Sequence, residues 1–464
     1  MTASLEERYR TRSLWLDQVP ESLAPRASLP GDTSCDVAVV GAGLTGLWTA
    51  YYLKRRQPDL RIMVLEREIA GFGPSGRNGG WVSGGIAGSW RVYAARKGSD
   101  AVLRATRETY RTVDEIGEVA RREAIDCAFV KGGTLTLATT EPQRARLERD
   151  LDEARRRGIG SDDLRRLTPG EAGELVRVDG SLAAVYSPHC ARIDPARLVR
   201  GLAAACERAG VVIHERTEAL ELAPGRVRCS QGTVRADHVL RATESYTTQL
   251  PGGRLRFLPL YSLMVATEPL PTPAWDELAW PEGLTIRDRR NLFFYAQRTP
   301  DGRIAIGGRG APYSLRRPIS EDAERDDRVR ERLGATVRRH FPAAADARLT
   351  HHWGGPLAVP RDWCMGVVYD RARGMGWAGG YSGHGVAASN ISGRTLADLV
   401  LERDTDLVGL PWVGHESRRW EPEPLRFLAS RAIVDVLGSA DRFEDRTGRR
   451  ARRAALVARF AQPS

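Results

Sequence analysis

The segment CDVAVVGAGLTGLWTAYYLKRRQPDLRIMVLER, Cys35 to Arg67, constrains the fold more than any other part of the chain. Asp36 to Val40 is a short Val-rich apolar run, as expected of a buried parallel strand. Gly41, Gly43 and Gly46 follow in G-x-G-x-x-G spacing. A helical pattern then runs through Leu47, Tyr51 and Leu53 and stops before Pro58. A second apolar run, Ile62 to Leu65, ends at Glu66. Strand, glycines, helix, strand and terminal acid in this order specify a dinucleotide-binding unit far better than the glycines alone. Gly41 permits the tight turn, Gly43 lets a pyrophosphate approach the helix N-terminus, and Gly46 lets helix and strand pack closely. Glu66 can accept hydrogen bonds from a ribose diol and would repel a 2′-phosphate, which argues against NADP.

Enzymes that use NAD usually continue directly into another strand–helix unit. This chain instead inserts GFGPSGRNGGWVSGG, Gly71 to Gly85, with seven glycines in fifteen residues. Glycine costs backbone entropy and contributes no packing. The expectation is that a flat ring system lies against this bare backbone, at the carboxyl end of the second strand, where cofactors cross open α/β sheets.

The 464 residues allow two or three domains. A net charge of +11 favours acidic partners only weakly. The basic stretch RTGRRARRAALVARF near the C-terminus reads as a solvated helical face, and nucleic acid is not the expected partner. Six cysteines show neither a C-x-x-C pair nor ligand spacing, which implies buried, reduced thiols. The opening MTASLEERYRTRSLWLDQ lacks the apolar core of a signal peptide, and no apolar run approaches a membrane span. A cytoplasmic location is expected.

The unit and its glycine-rich insertion resemble the D-amino-acid oxidase superfamily of FAD-dependent oxidoreductases, in the branch of glycine, sarcosine and gamma-glutamylputrescine oxidases. GFGPSGRNGG is most similar to the last of these. The resemblance extends to ARIDPARLVRGLAAACERAGVVIHERTEALEL, ADHVLRATESYTTQL, HWGGPLAVPRDWCMGVV and GMGWAGGYSGHGVAASNISGRTLADLVL, covering about Cys35 to Asp404. It implies an α/β chain (α+β overall), with a Rossmann-like FAD-binding domain interleaved with an antiparallel-sheet substrate domain. The FAD segments are expected at 30–90, 190–255 and 355–405, the substrate segments at 91–189 and 256–354, and a helical extension at 406–464. Residues 101–124 read as a long amphipathic helix, and Pro300-Asp301-Gly302 as a hairpin turn under the roof of a pocket.

The implied chemistry is oxidation of a primary or secondary amine: hydride passes from the carbon beside nitrogen to flavin N5, and the imine product hydrolyses. Oxygen or another electron acceptor completes the cycle. Spacing and resemblance together assign cofactor contacts to Gly41, Gly43, Leu44, Thr45, Gly46, Glu66 and Arg67. In the glycine-rich stretch they add Gly73, Ser75, Arg77, Asn78, Gly79, Gly80 and Trp81. Ala219, Ala242 and Thr243 follow, and then Gly380, Gly383, His384, Gly385 and Val386 at the start of a helix. Such a helix N-terminus stabilises negative charge on reduced flavin. His384, Arg309, Tyr295 and Tyr261 are the candidates for positioning substrate. Each has a plainer alternative: Trp81 and the tyrosines can fill core, a lone histidine is more often structural, and arginine is abundant in this sequence.

Two departures from the family pattern concern lysine. Sarcosine-oxidase-like members hold the substrate carboxylate with a lysine two residues past the second glycine of GHG, where this chain has Ala387. A second lysine, which promotes reaction with oxygen, aligns with Ala305. The chain's lysines are Lys54, Lys97 and Lys131, none near either place. An amine larger than glycine or sarcosine is therefore expected. The flavin-attachment cysteine aligns with Gly355, so FAD is expected to be non-covalent. His340, His351 and His352 lack a companion ligand set, and no metal is expected. Two other functions fit the same pattern: a flavin dehydrogenase of a hydroxy acid or alcohol, and a nucleotide-binding module without catalysis.

Overall fold

The computed structural model describes residues 4–311, 313–315, 318–454 and 457, with 309–311 described by main chain alone. Two eight-stranded sheets organise these residues. The first is built on the strand Thr33–Val40, which pairs in parallel with Ile62–Leu65 on one side and Thr233–Arg241 on the other. Val212–His214 extends it beyond Ile62–Leu65, and Met375–Gly379 beyond Thr233–Arg241. Gly366–Asp370 closes the far edge as the antiparallel arm of a hairpin. Val37, Ala38, Val39 and Val64 are fully buried, because helices cover the strands and a strand buried on both faces has no polar side to present.

Helices Leu44–Arg56, Pro195–Arg208 and Gly385–Val400 pack on this sheet. Pro195–Arg208 starts at Asp194, whose carboxylate accepts the N–H groups of Ala196 and Arg197, an ordinary side-chain cap. Gly393 lets Gly385–Val400 approach the other helix closely: a Cβ there would lie 2.9 Å from the Thr49 nitrogen. The long amphipathic helix is present as Ser99–Arg122.

The second sheet runs in the order Leu349–Val359, Leu258–Thr267, Ile304–Ala311, Phe294–Arg298, Thr285–Asp288, Thr134–Ala138, Ala183–Ser187, Arg165–Leu167. It is antiparallel apart from the pairing of Thr285–Asp288 with Thr134–Ala138. The hairpin expected at Pro300-Asp301-Gly302 joins Phe294–Arg298 to Ile304–Ala311, with Gly302 at φ +75°. One face carries Leu263, Val265, Ile286, Ala296, Ile304 and Ile306 into a core. The other carries Met264, Ala266, Ala305 and Trp353 against Trp15, Leu16 and Phe72, and a separate short ribbon pairs Trp81–Ser83 with Cys190–Arg192.

The chain ends brace this assembly. Two short N-terminal helices, Leu5–Arg10 and Leu14–Asp17, bury Tyr9, Trp15 and Leu16. The C-terminal helix Leu425–Thr447 is anchored where Asp441 accepts from the main chain of Asn291 and Leu292. Nearby, Arg426 donates to the carbonyls of Arg254 and Phe257. In the basic C-terminal stretch, Ala451 and Ala454 pack on Ala440, while residues 455, 456 and 458–464 lie outside the described residues. Among the described residues no helix is long and apolar enough to cross a membrane.

Candidate active site

The glycine turn has the tight geometry its spacing demands. Gly41 sits at φ +107°, and a Cβ on it would lie 2.8 Å from the Ala242 carbonyl oxygen. A Cβ on Gly46 would lie 2.0 Å from the Gly41 oxygen, so helix Leu44–Arg56 can rest on its own strand only through glycine. Gly43 is the N-cap residue and makes no side-chain cap. The Leu44 N–H donates to Ser75 Oγ at 2.9 Å, and Ser75 is also what a Cβ on Gly43 would strike first, at 2.9 Å. A bulky residue at 43 therefore meets protein before any phosphate.

Glu66 stands at the end of Ile62–Leu65 and accepts from the Ala42 and Glu68 N–H groups, both at 2.9 Å. Burial raises its pKa and these donors oppose the rise. Arg67 lies over the Tyr246 ring at 5.2 Å, and the same ring covers Gly73. A helix start whose first N–H is held by Ser75, a glycine backbone turn and a carboxylate at the next strand end make a donor and acceptor set that fits a dinucleotide.

The glycine-rich stretch holds a surprise. The expectation is a ring system against bare backbone, yet neighbouring side chains already lie against many of these glycines. Built Cβ atoms would strike Val199 at Gly71, Tyr295 at Gly79, Gln297 at Gly80, Tyr110 at Gly84 and His384 at Gly85. Much of the glycine content thus serves close packing, against helices at Gly71 and Gly84, against the second sheet at Gly79 and Gly80, and against the closing loop at Gly85.

Arg77 ties this loop to the second sheet's side and Asn78 binds it internally. Arg77, 2 % exposed, donates to Glu324 at 2.5 Å and to the Gly354 carbonyl. Glu324 is also paired with Arg12. The Asn78 amide spans the turn, donating to the Pro74 and Ser75 carbonyls while its oxygen accepts from Gly80 N–H. The Trp15 indole donates to the Asn78 carbonyl, so the N-terminal segment, which the sequence reading left unassigned, pins the loop from outside.

Two separate segments, 242–244 and the loop before helix Gly385–Val400, converge on the turn. Ala242 and Thr243 meet Gly41, as noted for its Cβ direction. Tyr381, in the loop before helix Gly385–Val400, makes a 3.0 Å hydrogen bond with Thr45 through its hydroxyl. Glu244, absent from the sequence-level candidates, accepts at Oε1 from the N–H groups of Gly380 (3.0 Å) and Tyr381 (3.2 Å). Gly380 and Gly383 take φ of +83° and +104°. His384 is the N-cap residue of the helix and its side chain does not cap the Gly385 and Val386 end. Its ring lies 3.1 Å from a Cβ built on Gly85. Ala219 is placed on the short strand Ala219–Ala223, which joins the first sheet through Arg226–Cys229.

On the roof, Tyr295 meets Trp81 edge to face, with centroids 5.9 Å apart, and its hydroxyl bonds Ser262 Oγ at 2.8 Å. Gln297 donates to the Gly79 carbonyl at 2.5 Å. Tyr261 does not join them. Side chains alternate along a strand, so the residue beside Ser262 points into the opposite core, where the Tyr261 hydroxyl is taken up by the main chain of Ser320. Arg309 pairs with Ser262 through its main chain; its side chain lies outside the described ones. Ala387 and Ala305 are both buried.

The six cysteines are free and buried. One ligand-capable group escaped the sequence reading because its members are far apart in the chain: Asp362, Cys364 and His415 offer atoms within 4.8 Å of one another. His415 Nε2 and Asp362 Oδ2 are 2.9 Å apart, which ties the C-terminal segment to the hairpin before the closing loop.

A glycine turn on a parallel sheet, roofed by a second sheet and closed by a helix N-terminus, defines a dinucleotide-binding oxidoreductase. Residues 36–399 match the family model described as FAD dependent oxidoreductase (DAO), and the chain belongs to that family, with FAD as its cofactor. It is similar to "Probable oxidoreductase OrdL" of Rhizobium meliloti, 31 % identical over 402 residues, covering 82 % of this chain and 86 % of that one. It is also similar to "Gamma-glutamylputrescine oxidoreductase" of Escherichia coli, 28 % identical over 384 residues, covering 81 % and 86 %. Among solved structures, glycine oxidase from Geobacillus kaustophilus shares the fold, with a TM-score of 0.64 at 24 % identity over 80 % of this chain and 96 % of that one.

Proposed function

We propose that the protein oxidises a primary or secondary amine larger than glycine or sarcosine, using non-covalently bound FAD. The observation that carries this is the polar roof of Tyr295, Ser262 and Gln297 over Trp81, beside a helix start at His384 whose nearby alanine, Ala387, offers no cation. Bound FAD supplies the hydride acceptor. Gly41 to Gly46 and Glu66 hold its nucleotide end, and the Gly385 end of the closing helix stabilises negative charge as it develops. Trp81, Tyr295 and His384 orient the amine and exclude water around it. A small amino acid would bring a carboxylate into this space, and burying it without a partner costs several kcal/mol. Arg309, on the strand beside Ser262, is the residue that could relieve that cost.

The wider organisation follows the same reading. Segments 30–90, 190–255 and 355–405 form the cofactor half, 91–189 and 256–354 the substrate half, and 406–464 a helical brace. The buried free thiols suit a cytoplasmic setting. The relatives' names, gamma-glutamylputrescine oxidoreductase and glycine oxidase, support an amine as substrate. The test is product analysis after turnover with a panel of amines and hydroxy acids. Release of ammonia or a smaller amine, with flavin set free by acid precipitation, is the expected result. Turnover of hydroxy acids alone would replace the amine reading, and flavin remaining with the precipitate would overturn non-covalent binding.

A further inference from the structure

Glu244 occupies a place where its residue type is unexpected. It follows strand Thr233–Arg241 at φ +44°, in the left-handed region that glycine enters without steric cost and a branched chain does not. This chain uses glycine freely around the same site, so a glutamate held there points to a task for its side chain. That side chain reaches across to the closing loop. Oε1 accepts from two successive N–H groups, Gly380 and Tyr381, and a Cβ built on Gly379 would lie 3.5 Å from it. Tyr381 in turn bonds Thr45 in the first turn of the cofactor helix. The residue is half-buried, while Oε2 is sealed from solvent and has no hydrogen-bond partner among the described residues.

We propose that Glu244 is a positioning residue that clamps the Gly379–Gly385 loop to the glycine turn, so that binding of FAD and placement of the closing helix become one event. One carboxyl oxygen fixes two consecutive peptide groups, and the Tyr381 side chain carries that fixation to Thr45. The loop contains Gly379, Gly380, Gly383 and Gly385, and without the clamp its backbone has wide freedom. Burial pushes the Glu244 pKa up to about 7, opposed by the N–H donors it accepts from. The titratable group against it is the Tyr381 phenol, whose own pKa burial and Glu244 raise. Because the folded-state pKa is raised, this carboxyl's contribution to folded-state stability is complete below the ordinary carboxylate range and is lost as pH rises through about 7.

The experiment measures FAD dissociation constants by titrating deflavinated protein, for wild type, Glu244→Gln and Glu244→Gly. Reconstitution of the wild type with FAD comes first; its failure would count against FAD as the cofactor and is separate from the clamp. Glycine relieves the backbone but removes the acceptor, whereas glutamine keeps an acceptor oxygen on the strained backbone. The expected result is about tenfold or more weaker binding for Glu244→Gly and a change within about threefold for Glu244→Gln. Equal affinity of Glu244→Gly and wild type would overturn the clamp, as would equal losses in both variants.

Discussion

The two sheets use glycine for different purposes. At the glycine turn of the parallel sheet, Gly41 stands against the Ala242 carbonyl and Gly46 against the Gly41 carbonyl, while Gly43 and Gly71 meet the Ser75 and Val199 side chains. Around the roof the glycines stand against side chains: Gly79 and Gly307 against the Tyr295 ring, and Gly80 against Gln297 as well as the Ile193 carbonyl. Main chain in a sheet cannot retreat, whereas a ring can turn. The turn at Gly41 and Gly46 therefore has its shape dictated by backbone contacts, and the roof around Tyr295 has a shape that side chains set. That is a reasonable division for a fold that keeps one cofactor and changes its substrates.

The comparison breaks most severely at Gly46. Gly46→Val should give no soluble, flavin-containing protein, since its Cβ would lie 2.0 Å from the Gly41 oxygen; flavin content per chain after purification measures this. Normal flavin content would mean the turn can open, contrary to the account. Next in size is the tie between the halves. Arg77→Met leaves Glu324 with Arg12 as its remaining ion-pair partner and removes the donor to Gly354. A loss of about 3 kcal/mol in urea unfolding is expected, and an unchanged midpoint would deny the tie any role. The mildest break is Gly307→Ala. Its Cβ would lie 2.4 Å from the Tyr295 ring and hydroxyl, so the ring must move. Destabilisation of about 1–2 kcal/mol with full flavin content is expected, together with a raised KM for the amine. Loss of flavin instead would show that the roof, too, governs the cofactor.

The difference between the halves also explains what the sequence made legible. The first unit could be read from Asp36 to Glu66 because its constraints are local: a turn, a helix start and two strands lie within about thirty residues. The hairpin at Pro300-Asp301-Gly302 and the helix Ser99–Arg122 were legible for the same reason. The roof site was not. Tyr261 and Ser262 are neighbours, and choosing which one faces Tyr295 requires knowing the strand's register, which hydrophobicity does not reveal in the mostly buried run Leu258–Thr267. Arg77 stood out in the loop, but its partner Glu324 is 247 residues away. Glu244 gave one faint signal, a charged residue at a strand end among glycine-rich cofactor segments. The grouping of Asp362 with His415 gave none, because the segment after residue 404 has no counterpart in the resemblance.

The most direct test of the central claim is the rate of anaerobic flavin reduction, followed by loss of the visible flavin band, for sarcosine, glycine, D-alanine and a series of diamines and their acylated forms. The account predicts that at least one longer amine bleaches the flavin faster than sarcosine, glycine or D-alanine does. A flavin that sarcosine or glycine reduces at least as fast as every longer amine would contradict it.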